Sequence, residues 1–107
     1  HGLANAVLLP SVMEWNLIAC LETYPQIASA LGDPVEGLAP REASTVAVDA
    51  VRQLAQDVGI PERLRDVGVT REAIPALADD AMKSGNILVN PRLTRREDIV
   101  HLFDRAF

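Results

Sequence analysis

Few residues of this chain are equipped for chemistry, and the first is one of them. His1 is followed by Gly2, which lets the backbone turn tightly into the segment Leu3-Ala4-Asn5-Ala6-Val7-Leu8-Leu9-Pro10-Ser11-Val12-Met13-Glu14-Trp15-Asn16. An imidazole there stands beside the positive end of a helix dipole, which disfavours the imidazolium form. The neutral ring can ligate a metal or polarise an oxygen. From this histidine alone, a frayed terminal residue or a tag remnant is the simpler reading. His101 shares a face with Glu97 and Arg105 and is expected at the surface. Cys20 is the single cysteine, so no internal disulfide is available. Nothing in the sequence sets a base beside it, and a small buried hydrophobe is its expected role.

The elements that must position these residues are helical. Leu3, Val7, Leu8, Val12 and Trp15 recur at helical spacing in a segment with too few polar residues to face water, which predicts a central, buried helix. Pro10 removes a backbone donor and predicts a kink or a division into two shorter helices. A second short helix is expected from Tyr24-Pro25 to Leu31, stopped by Gly32. From Arg41 to Val58 a single stripe of Ala43, Val46, Ala47, Ala50, Val51, Leu54, Ala55 and Val58 predicts the longest helix. Gly59 ends it, and Pro61 opens a turn that Gly68 closes. Thr70 is the expected N-cap of a helix burying Ile74, Leu77, Ala78, Ala81 and Met82. Thr94 and Glu97 are expected to form a capping box, ahead of a final helix burying Ile99, Leu102, Phe103 and Ala106. Between the last two helices lies the loop Asn86 to Leu93. Pro91 forces Asn90 toward extended backbone there, so the loop can line a cavity.

Composition agrees with this reading. The 107 residues fit one domain, and 49% hydrophobic with only 4% aromatic content points to a core of Ala, Leu, Val and Ile in close-packed helices. The expected fold class is all-α, a compact bundle of about five to six helices. A net charge of −5 argues against nucleic acid as a partner, and Arg95-Arg96 reads as solvated surface. No stretch of about 18 apolar residues exists, which excludes a membrane-spanning helix. A lone thiol suits a reducing cytosol, so the expected location is cytoplasmic.

The run from His1 to Asn16 resembles the motif opening the last metal-ligand segment of iron-containing alcohol dehydrogenases, with its Pro-His-Gly, Ala-Asn-Ala, Leu-Leu-Pro, Val-Met and Asn. Later stretches agree in order. They are Gly59-Ile60-Pro61, Leu64-Arg65-Asp66-Val67-Gly68-Val69, Ile74-Pro75-Ala76-Leu77-Ala78, Asn90-Pro91-Arg92 and Glu97-Asp98-Ile99-Val100. The resemblance implies the C-terminal helical domain of that family's dehydroquinate synthase-like fold. The nucleotide-binding domain would then lie upstream, and the lack of an initiator Met fits a chain beginning mid-protein. In the family one aspartate and three histidines hold a divalent metal, usually iron and sometimes zinc, and only the last histidine falls on this chain, at His1. The metal binds the substrate oxygen while hydride passes between an alcohol or aldehyde and NAD.

The same resemblance places the Asn86 loop at the border of the substrate pocket. Asn86 takes a position often held by cysteine, four residues before the Asn-Pro-Arg asparagine. A plain helix-exit residue is an equal reading of Asn86. Ser11 stands where the family usually has histidine, and Trp15 where it has Phe or Tyr; neither position is assigned a metal-ligand role. A homodimer or larger assembly is also implied. Glycerol dehydrogenases and maleylacetate reductases share the architecture and remain alternatives, as does a helical binding or assembly module without chemistry. One imidazole cannot hold a catalytic metal alone, so the chain by itself is expected to be inactive.

Overall fold

Apolar residues at three-and-four spacing, punctuated by proline at helix starts and glycine at helix ends, build an all-α structure. The computed structural model describes residues 2–107, and among these are five α-helices joined by turns of tighter 3-10 helix, with no strand. The helices are α1 (Gly2–Asn16), α2 (Tyr24–Ala30), α3 (Pro40–Asp57), α4 (Ile74–Lys83) and α5 (Arg96–Ala106). Helix α1 packs against α3 and α5, α2 against α3, and α4 against α5. The body is flattened, with extents of 44 × 30 × 19 Å. None of the described helices is long and apolar enough to cross a membrane.

Two apolar clusters hold the layers together. One gathers Met13, Leu17, Tyr24, Ala28, Ala47 and Val48 where α1 ends and α2 crosses α3. The other sets Val7 of α1 against Leu64 and Ala106, closing α1 onto α5 and the turn Leu64–Val67. Small residues at the α2–α3 crossing, Ala28 and Ala47, are fully buried and allow close approach of the helix axes. Gly68, at φ 87°, ends the Leu64–Val67 turn in the left-handed conformation that glycine adopts without strain.

Four sequence expectations change in the structure. Of the two outcomes expected at Pro10, a kink or a division, the division does not occur: helix α1 runs unbroken through Pro10, which is itself buried. Packing of Val7, Pro10 and Met13 on the core offsets the one missing backbone bond. Helix α1 is also less buried than its composition predicts, because Leu3 and Leu9 are exposed while Val7, Pro10, Met13 and Asn16 face inward. A helix apolar all round carries no periodicity to choose its face, so its neighbours choose.

The α3 stripe is buried only in its first half, through Ala43, Ser44, Ala47 and Val48, whereas Leu54 and Val58 are exposed beyond the reach of α2. Ser44 enters the core because its hydroxyl donates to the Pro40 carbonyl at 2.7 Å. The capping residues also differ. Thr70 precedes a 3-10 turn, Arg71–Ala73, and makes no side-chain cap. The start of α5 is capped one residue later than expected, with the Arg95 backbone N–H donating to Asp98 Oδ2 at 2.9 Å. Thr94 is freed for another role.

Candidate functional site

His1 lies outside the described residues. What the structure shows is α1, whose first residue is Gly2. Asn86 lies in the 3-10 turn Gly85–Ile87 that follows α4. That turn forms because Ser84 leaves the helix in extended conformation and its Oγ accepts from the Asn86 backbone N–H at 3.2 Å. The Asn86 side chain is exposed, and Leu88 and Val89 just beyond it are exposed too. The described residues contain no group of three or more His, Cys, Asp or Glu side chains that could hold a metal. The described residues by themselves therefore do not fit a metal ion.

What the sequence reading missed is how the Asn86 loop is tied to α1. Asn16, the last residue of α1, is buried, and its amide pairs reciprocally with that of Asn90: Asn16 Nδ2 donates to Asn90 Oδ1 at 2.9 Å, and Asn90 Nδ2 to Asn16 Oδ1 at 2.8 Å. Asn90 Nδ2 also reaches the Arg92 carbonyl at 2.9 Å and Thr94 Oγ1 at 3.1 Å. The buried Thr94 hydroxyl donates to the Arg92 carbonyl at 2.8 Å and accepts the Trp15 indole N–H at 3.0 Å. Arg92 completes the ring of contacts. Its guanidinium lies 3.4 Å from the Trp15 ring centroid and donates to the Trp15 carbonyl at 2.9 Å. A planar cation stacked on indole and bonded to its own backbone is held in one orientation.

Pro91 has a part in this. It disfavours helical backbone at Asn90, which lies outside any helix and whose amide reaches both α1 and the following residues of the loop. The signals were present in the sequence as a polar Asn16 closing an apolar helix and as the Asn90-Pro91 pair, but their pairing across 74 residues has no local signature.

Elsewhere the electrostatics are modest. Glu14 and Arg52 pair at 2.8 Å on the surface, joining α1 to α3. Burial, helped by the neighbouring Cys20, pushes the Tyr24 phenol up to about 12, while its O–H donates to the Met13 carbonyl at 3.0 Å. Cys20 is half-buried against the first core cluster, close to the hydrophobic role expected of it. A surface cleft of about 230 Å³ opens between α1 and α3 near Arg52, Ile60 and Arg105, away from Asn86.

Comparison with known proteins gives these features a context. The sequence profile described as Fe-containing alcohol dehydrogenase family, C-terminal, matches residues 1–107. The 1,3-propanediol dehydrogenase of Citrobacter freundii is 43% identical over 107 residues, covering 100% of this chain and 28% of that protein. The lactaldehyde reductase of Escherichia coli (strain K12) is 50% identical over the same length, with the same coverage. The solved structure of a 1,3-propanediol oxidoreductase superposes with a TM-score of 0.95 at 43% identity, over 100% of this chain and 28% of that one. The chain thus spans little more than a quarter of the length of the relatives it matches.

Proposed function

Because the chain belongs to the iron-containing alcohol dehydrogenase family, in its C-terminal part, we propose that it completes a metal-dependent oxidoreductase that moves a hydride between an alcohol or aldehyde and NAD. The observation carrying this reading is the match along the whole chain, joined to relatives named for 1,3-propanediol and lactaldehyde. Those names suggest a small hydroxylated substrate.

In this reading residues 1–107 are the helical metal- and substrate-side portion, and an upstream portion holds the nucleotide. His1 is one of four ligands to a divalent metal, iron or alternatively zinc, with the other three in the upstream portion. A metal so held supplies Lewis acidity toward the substrate oxygen. This chain's own contribution is positional. His1 directly precedes α1 in sequence, while Trp15 and Asn16 at the far end of that helix fix the loop on which Asn86 would border the substrate. An amide at that border can hydrogen-bond a second hydroxyl of the substrate. The protein is further proposed to be cytoplasmic and a homo-oligomer.

The test is nicotinamide-coupled turnover of the natural polypeptide carrying this chain, with 1,3-propanediol and lactaldehyde as substrates and with iron or zinc supplied. Metal-dependent formation or consumption of NADH supports the reading. Its absence with every small alcohol and aldehyde tried would leave a helical module without chemistry.

A further inference from the structure

The loop after α4 combines two properties that do not belong together in a free surface. Leu88, Val89 and Leu93 are 89%, 78% and 82% exposed, three aliphatic side chains within six residues. Single exposed leucines are ordinary, but a clustered apolar surface marks a contact. Yet this loop is not loose. Asn90 and Thr94 sit inside it or at its end, bonded to each other and to Asn16 and Trp15, and Arg92 is stacked on Trp15. Ordering a loop costs backbone entropy, which a merely solvated segment would not have to bear. Here that cost is met by a partly buried polar network, anchored on the buried Asn16 and Thr94, whose effect is to present apolar side chains outward.

We infer that Leu88, Val89 and Leu93 form the docking surface for the upstream portion of the same polypeptide. Nearly three-quarters of each relative's length lies outside the matched part, and the matched part is the family's C-terminal one, so the missing partner precedes His1. The flattened body, 19 Å through its thinnest direction, leaves such side chains no interior of their own to enter. The inference rests on the proposed two-part enzyme and adds where its parts meet. Asn86, two residues before Leu88, then stands at the edge of the seam rather than on an outer surface. The Asn16–Asn90 pair is the latch that sets the seam's position relative to α1.

The experiment places photoreactive benzoylphenylalanine at Leu88 or Leu93 of the natural polypeptide and maps the crosslinked peptides. Both sites are exposed in this chain, so the replacement does not disturb its core. The expected product has the mass of one chain and joins the loop to a peptide upstream of His1. A product of doubled mass would make the occupant a second copy, and absence of any link beyond residues 1–107 would make the loop a free surface; either overturns the inference. In parallel, Leu93→Cys should react with a maleimide on the order of a hundredfold more slowly in the native protein than in urea, as for a group reached only through rare opening. A chain that crosslinks as expected but shows no turnover would sink the catalytic proposal and leave the docking surface. Turnover with a freely reactive loop would do the reverse.

Discussion

Asn90→Ala is the substitution that bears hardest on the way this structure holds its loop. It deletes the acceptor for Asn16 Nδ2 and the donor for Asn16 Oδ1, along with the contacts to the Arg92 carbonyl and Thr94 Oγ1. Asn16 is only 6% exposed, so its amide is left with no side-chain partner in a place water reaches poorly. A buried polar group so stranded costs about 1–3 kcal/mol, and the further lost bonds add about 1 kcal/mol net. The expected loss is about 3 kcal/mol.

The assay is equilibrium urea unfolding, in which the midpoint should fall while the slope stays constant, as it does when stability and not compactness changes. The cycle with Asn16→Ala isolates the pair. Removing both amides leaves nothing stranded, so the double variant should be about 1–2 kcal/mol more stable than the summed single effects imply. A single-variant loss below about 0.5 kcal/mol, typical of a solvated surface change, would show that water substitutes freely for Asn90 and that the latch is not one.

Other sites give independent checks. Leu64 is fully buried between Val7 and Ala106, so Leu64→Ala should cost about 3 kcal/mol by the same urea assay, through lost transfer energy and a residual cavity. Tyr24 titrates at about 12 when folded against 10 when exposed, so the folded state keeps its proton where the unfolded state has lost it. Its contribution is complete below pH 10 and falls as pH rises from there through 12. A Tyr24→Phe variant should lose the Met13 hydrogen bond, about 1 kcal/mol at neutral pH, and should show a flatter loss of stability in alkali.

Legibility in the sequence followed the range of the interaction. Helices α2 to α4 were marked by proline at their starts, glycine just past their ends and apolar residues at helical spacing, and α5 by its apolar spacing alone, all signals confined to a few residues of chain. The cap of α5 went to Asp98 instead of Glu97 because the buried Thr94 is engaged with Trp15 from α1, a contact that no local rule contains. Face selection in α1 was illegible for a related reason. Leu3 and Val7 are equally apolar, and only the positions of α3 and α5 decide that Val7 is buried and Leu3 is not. At the site, the Asn-Pro-Arg run was visible, but the purpose of each residue was not: Asn90 reaches Asn16, Pro91 shapes the backbone, and Arg92 covers Trp15. The chemistry of His1 rested on family resemblance throughout, since the described residues supply no second ligand cluster.

The most direct test of the central claim is the metal content of the natural polypeptide before and after His1→Ala, read by elemental analysis with far-ultraviolet circular dichroism as the control for folding. If His1 is one of four ligands, the parent should retain ~1 divalent metal per chain after dialysis and the variant clearly less, because each lost ligand weakens the hold on the ion. A folded variant that keeps its metal would contradict the account and remove His1 from the site.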